Sequence, residues 1–113
     1  MNLSFLYLAE FVRDWNRQRL TDLDLSALED AIAREADAAP VIRGTGGLRK
    51  LRFAPPTRHR GKSGATRVGF SYVNVRSTIV VVAMFAKNES SNFSAADRAA
   101  IAKRLKIIEG TLR

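Results

Sequence analysis

Cysteine is absent from this 113-residue chain, histidine occurs once, and no apolar run approaches the ~20 residues of a membrane-spanning helix. Without cysteine there is no disulfide framework, no thiolate metal site and no cysteine nucleophile. His59 lacks the histidine or cysteine partners that a metal site needs. The apolar residues 3–8 have no basic segment before them, so they do not predict a targeting signal. We therefore expect a cytoplasmic protein without membrane attachment, metal or other cofactor.

Acidic residues are missing from one long stretch of the sequence. Between Asp37 and Glu89 there is no acidic side chain, whereas ten arginines and lysines fall in that interval. Five arginines and eight acids give residues 1–47 a net charge of −3, while fourteen basic and three acidic residues give residues 48–113 a net charge of +11. A charge run is often only a solvated face, but an excess of this size also indicates a polyanionic partner such as nucleic acid.

Length and hydrophobic spacing predict one α+β domain over residues 1–113. A short strand over residues 3–7 precedes a helical hairpin, whose second helix starts at Thr21 with a capping box closed by Asp24. A last helix opens at Ser94. Three consecutive strands lie between them, so we expect a small, mainly antiparallel sheet with an N-terminal helical hairpin and a C-terminal helix. The predicted buried stripes are Leu8, Phe11, Val12 and Trp15; Leu25, Leu28 and Ile32; and Ile101, Leu105, Ile108 and Leu112.

Alternation along the strands separates a core face from a cationic face. Lys50 and Arg52 point away from the core in the strand over residues 48–53, and Arg67 does so in the strand over residues 65–73. The strand over residues 77–86 is apolar on both sides and is predicted to be central, joined to its predecessor by a hairpin loop. The residues predicted to face the core are Leu51, Phe53, Val68, Phe70 and Tyr72.

Pairing of the first two of these strands would bring three cations onto one sheet face. We expect the small Gly69 and Ser71 to leave room between them, so that this face is concave and open as well as basic. Cations this close repel one another, and phosphate binding explains why a fold tolerates them. A basic loop over residues 55–64 would stand at the rim, and Lys87 would follow the central strand.

Other groups of residues in the sequence do not predict a functional site. The glycine-containing stretches at residues 44–47 and 61–63 are each followed by a strand, whereas a phosphate-binding P-loop is followed by a helix. No serine, histidine and aspartate set is discernible. Phe5, Phe11, Trp15 and Phe70 are expected in the core and not as a platform on which bases stack.

Three stretches together resemble the HigB-like branch of the RelE/ParE toxins. They are residues 41–54 (VIRGTGGLRKLRFA), residues 60–67 (RGKSGATR) and residues 85–89 (FAKNE), the last followed by Phe93 and by Ser94 at a helix start. The resemblance covers nearly the whole chain, and the predicted element order matches the fold of that family.

This resemblance implies a type II toxin, a ribosome-dependent mRNA endonuclease held inactive by a cognate antitoxin that we expect to be a helix-turn-helix protein. Cleavage in that family needs no metal. A 2′-hydroxyl attacks the adjacent phosphate, so the protein must supply a base, an acid and cations for the developing charge. On this resemblance the catalytic residues are Arg67, Lys50, Arg52 and Lys87, and the further RNA-binding residues are Arg49, Arg58, Arg60 and Lys62.

The sequence departs from the family at the C-terminal side of the expected site. Many members carry tyrosine or histidine where this chain has residues 90–93 (SSNF), and Asn88 stands where relatives have arginine. A lysine or Glu89 is then left as the candidate for proton transfer. The alternative is a non-catalytic module, whose basic face docks an acidic antitoxin or acts on another target such as DNA gyrase, as in the ParE branch.

Overall fold

The described residues form four strands and three α-helices in the predicted order. The structure is a computed structural model that describes residues 2–58 and 66–112. The strands are β1 (Ser4–Tyr7), β2 (Arg49–Phe53), β3 (Thr66–Val73) and β4 (Thr78–Phe85). The helices are α1 (Ala9–Arg17), α2 (Asp22–Glu35) and α3 (Ala95–Leu112).

The fold class is α+β, as predicted. The sheet is mainly antiparallel, with strand order β1-β4-β3-β2. β2 pairs with β3 and β3 with β4 in antiparallel fashion, and a 3₁₀ turn over Asn74–Arg76 joins the latter two strands. β1 lies parallel to β4, with Ser4 opposite Thr78, which the sequence did not reveal. A parallel pair needs a long crossover, and here the helical hairpin and two strands supply it.

One face of the sheet is covered by the helical hairpin. Phe11 and Trp15 of α1 and Leu28 and Ile32 of α2 are buried there against the inward residues of β2, β3 and β4. A series of neighbouring rings with centroids 5.5–6.4 Å apart continues the core across the elements. These rings are Phe5, Tyr7, Phe11, Trp15 and Phe53. The prediction that the N-terminal aromatic residues belong to the core is confirmed.

The predicted stripe of α1 is wrong at Val12, whose side chain is 41% exposed. A helix of nine residues turns only Phe11 and Trp15, four residues apart, fully toward the sheet. Leu8 lies at the N-cap and packs against the cluster on the opposite face instead.

The opposite face of the sheet is covered by α3. Leu105 is buried, and Ile101, Ile108 and Leu112 pack against the same cluster, as their spacing predicts. A β-bulge opposite Gly69 and Phe70 leaves Val82 of β4 without a cross-strand partner, so that β4 presents the consecutive residues Val82 and Ala83 to the cluster. Glu10 of α1 and Arg104 of α3 form an ion pair across the fold, and the guanidinium lowers the pKa of Glu10. No helix in the described ranges is long and apolar enough to span a bilayer.

Both predicted capping boxes are present. The Thr21 hydroxyl accepts a hydrogen bond from the Asp24 N–H at 3.2 Å, and the Asp24 carboxylate accepts one from the Thr21 N–H at 2.9 Å. Ser94 and Asp97 repeat the arrangement at the start of α3, at 3.0 and 2.9 Å. The two boxes fix the first turns of α2 and α3 by satisfying backbone N–H groups that have no partner within the helix.

Asp24 has a second role that the sequence did not predict. Its carboxylate is fully buried and also accepts hydrogen bonds from the N–H and hydroxyl of Thr57, at 3.1 and 2.7 Å. Burial raises the pKa of Asp24, but the hydrogen bonds from Thr21 and Thr57 outweigh it and hold the pKa below its usual value. The residues that lead into the basic loop are therefore fastened to the helical hairpin.

Candidate functional site

A groove of about 370 Å³ lies beside β2, the edge strand of the sheet. Its lining consists of Glu35, Pro40, Lys50, Leu51, Arg52 and Arg67, and we refer to it as the cationic groove. The structure thus brings together the three cations that strand alternation placed on one face. Glu35, the last residue of α2, is the one acidic residue in this lining.

The register of β2 and β3 sets Arg52 directly opposite Arg67. The Lys50 N–H bonds the Pro40 carbonyl, 2.9 Å away and outside the sheet, so Lys50 and Gly69 form a non-hydrogen-bonded pair. Hydrogen-bonded and non-hydrogen-bonded pairs alternate along an antiparallel ladder. The pair of Arg52 and Arg67 comes two residues later and is therefore also non-hydrogen-bonded, which brings its Cα atoms to only about 4.5 Å apart. Like charges directly opposite each other destabilise a sheet, so this pair opposes folding and favours an anion between the two guanidinium groups.

The same alternation sets the direction of the main-chain N–H groups of β2 at the groove. β2 is an edge strand, and its Lys50 N–H points outward to Pro40. The N–H of Arg52 therefore points to the same edge, where the cationic groove runs. A phosphate oxygen in the groove can accept a hydrogen bond from this N–H as well as from the guanidinium groups.

Lys50 is held at one wall of the site by a residue that the sequence did not reveal. Its ammonium group donates a hydrogen bond to the Ser90 hydroxyl at 3.1 Å, and the Ser90 side chain is 4% exposed. Ser90 lies in the 3₁₀ turn Ser90–Asn92, which Phe93 anchors to Phe85 by an edge-to-face contact. The position of the ammonium group therefore depends on the segment between β4 and α3.

The expectation that Gly69 leaves the cationic face open is wrong. A Cβ atom built on Gly69 would lie 2.6 Å from the Phe85 ring and 3.2 Å from Leu48, so the space beside this glycine is already filled. The glycine serves close packing of Phe85 across the strands, and β3 cannot accept a side chain there without displacing the ring. The room for a ligand lies at the edge of β2 and not over the middle of the sheet.

We predict opposite stability effects for two arginines of the same strand. Arg52→Thr removes the cross-strand repulsion and should raise the free energy of unfolding by about 0.5 kcal/mol, an advantage that shrinks with added salt. Arg49→Thr should lower it by about 1–2 kcal/mol, because the Arg49 guanidinium donates a hydrogen bond to the Ala39 carbonyl at 2.6 Å. Urea unfolding at low and high ionic strength measures both. A loss of stability in the Arg52 variant would contradict the assigned repulsion.

The other predicted site residues that the structure describes do not line the cationic groove. Arg49 binds the Ala39 carbonyl, and the Arg58 guanidinium donates to the Gln18 carbonyl in the connection between α1 and α2. Lys87 is exposed in the turn that follows β4. Arg60 and Lys62 lie outside the described residues.

Asn88 and Glu89 both have structural roles in the turn after β4. Asn88 has φ +69°, in the left-handed region that asparagine adopts more readily than most residues. The Glu89 carboxylate accepts a hydrogen bond from the Ala86 N–H at 2.9 Å and closes the turn. Glu89, the carboxylate considered for proton transfer on sequence grounds, thus has a structural partner.

Glu35 and Ser90 belong to the site but could not be predicted from the sequence. Both meet the cationic residues only through the tertiary fold, because Glu35 ends a helix and Ser90 lies in a polar turn. Within residues 2–58 and 66–112 no three histidine, cysteine or acidic side chains come together as metal ligands do.

A four-stranded mixed sheet, a helical hairpin on one face and a helix on the other define the RelE-like toxin fold. Among solved structures, the chain is similar to an arginine double mutant of the E. coli toxin RelE in the free state, with a TM-score of 0.57 and 15% sequence identity. The match covers 93% of this chain and 99% of the RelE chain. No family model matches the sequence.

Proposed function

We propose that this protein is the toxin of a type II toxin–antitoxin pair and that it cleaves mRNA on the ribosome without a metal ion. The observation that carries the proposal is the convergence of Lys50, Arg52 and Arg67 on one groove within a RelE-like fold. The resemblance of three sequence stretches to the HigB-like branch supports the same activity, and such a toxin would act in the cytoplasm.

The cations have a defined task in this reaction. The 2′-oxygen of the ribose forms a bond to the adjacent phosphorus, the bond from phosphorus to the 5′-oxygen breaks, and negative charge accumulates on the phosphate oxygens. Arg52 and Arg67 form a fork that can hold two of these oxygens, while Lys50 contributes a point charge beside them. Groups fixed in place before the reaction stabilise this charge without reorganisation at the moment of cleavage.

We expect the partner that restrains such a toxin to cover the same groove. An antitoxin with an acidic segment would neutralise the three cations, and a segment that folds on binding can follow an open sheet edge. We expect this antitoxin to be a helix-turn-helix protein.

Cleavage of ribosome-bound mRNA by the purified protein tests the proposed function. We expect cuts in phase with the codons on ribosomes programmed with a defined message, and unchanged cleavage in the presence of a metal chelator. Intact message on the ribosome, together with growth arrest on expression, would favour the non-catalytic alternative, in which the protein acts on another target such as gyrase.

A further inference from the structure

Glu35 occupies a place in the cationic groove that no structural need explains. It is the last residue of α2, where a negative charge is unfavourable beside the exposed carbonyl groups of the helix end. Its main-chain carbonyl accepts the hydrogen bonds from Ala38 and Ala39 that finish the helix, so the side chain is not needed for that purpose.

Glu35 is also not neutralised by the cations that share its groove. The ion pairs of the described ranges join Arg17 with Asp14 and Arg104 with Glu10, and neither includes Glu35. The carboxylate is exposed at the groove and lines it together with Lys50, Arg52 and Arg67. A ligand in the groove therefore meets a free carboxylate beside a site for phosphate.

Two other candidate carboxylates are already engaged in structural hydrogen bonds. Glu89 accepts a hydrogen bond from the Ala86 N–H, and Asp24 is buried with donors from Thr21 and Thr57. A reaction that begins with loss of a proton from a 2′-hydroxyl needs a basic atom within hydrogen-bond reach of that hydroxyl. In the lining of the cationic groove, Glu35 supplies the carboxylate that can meet this need.

We propose that Glu35 is the general base of this site, which rests on the proposed function. The Glu35 carboxylate takes the proton of the 2′-hydroxyl as the 2′-oxygen bonds to phosphorus. The bond from phosphorus to the 5′-oxygen then breaks, and the Lys50 ammonium group gives that oxygen a proton. The products are a 2′,3′-cyclic phosphate and a free 5′-hydroxyl, and one later proton transfer from Glu35 to Lys50 through solvent restores both groups.

Glu35→Gln tests the assignment, because glutamine keeps the shape of the side chain and cannot accept the proton. We expect cleavage of ribosome-bound mRNA to slow by at least about 100-fold. Affinity for a single-stranded RNA with a 2′-deoxyribose at the cleavage site should stay equal or rise, since a negative charge has left an anion-binding groove. Asp37→Asn, two residues further on and exposed, is the matched control and should cleave like the wild type.

A substrate with sulfur in place of the 5′-oxygen separates a base from an acid. The thiolate leaves without a proton, so this substrate should restore cleavage by Lys50→Ala but not by Glu35→Gln. Glu35→Gln cleavage at the wild-type rate, or its rescue by the sulfur substrate, would overturn the role of Glu35 while leaving the proposed function intact. Absence of cleavage by the wild-type protein would instead overturn the proposed function itself.

Discussion

Replacement of Lys50, Arg52 and Arg67 by alanine is expected to reduce affinity for single-stranded RNA roughly 100-fold at low salt, because three phosphate contacts are lost. The slope of log affinity against log salt concentration should become shallower by about 2, the value for three contacts on a single strand. The fold should persist, since Arg52 is exposed, Lys50 and Arg67 are only half-buried, and the repulsion between Arg52 and Arg67 disappears. Fluorescence anisotropy with a labelled RNA measures both quantities.

A second triple variant controls for net charge in this experiment. Arg13, Lys103 and Lys106 are exposed and do not line the cationic groove. Their replacement by alanine removes the same charge from other surfaces of the protein. We expect its salt slope to remain close to that of the wild type. Equal slopes for the two triple variants would mean that RNA is attracted by net charge and not by the groove.

Loss of the Asp24 carboxylate is expected to have the largest effect on stability. Asp24→Ala removes the buried carboxylate that accepts hydrogen bonds from the N–H groups of Thr21 and Thr57. It also removes a helix cap, so we expect the free energy of unfolding to fall by about 3 kcal/mol. Chemical unfolding at neutral pH measures this change. Asp30→Asn on the exposed side of the same helix should change it by less than about 0.5 kcal/mol.

The contribution of Asp24 should also depend on pH. Hydrogen bonds hold the pKa of the folded state below the usual value, so the contribution is complete above the unfolded-state pKa of about 4. It is lost as the pH falls further, through the lower pKa of the folded state. Asp24→Asn should lack this part of the acid-induced loss of stability. Parallel stability curves for the wild type and this variant in acid would show that Asp24 is not linked to folding in this way.

Much of the cationic groove could be predicted because strand alternation is a local property. The sequence order of charged and apolar residues places Lys50 and Arg52 on the side opposite Leu51, and the pairing of β2 with β3 adds Arg67 to them. The capping boxes at Thr21 and Ser94 are local as well, so the helix starts could be read from a few residues.

The rest of the site depends on contacts between residues far apart in the chain. Glu35 reaches the groove through the packing of α2, and Ser90 meets Lys50 forty positions away. The burial of Asp24 depends on Thr57, which follows β2. The contact between Phe85 and Gly69 likewise depends on the register of β3 and β4. The pattern of residues in one strand alone does not predict this contact.

The rate of cleavage of ribosome-bound mRNA by the wild type and the groove triple variant, measured side by side, tests the central claim most directly. We expect codon-phased cuts by the wild type and a rate at least about 1,000-fold lower for the variant in which Lys50, Arg52 and Arg67 are alanine. The control variant at Arg13, Lys103 and Lys106 should cut at the wild-type rate. Equal cleavage by the wild type and the groove variant, with both folded, would contradict the assignment of the cationic groove as the site of RNA cleavage.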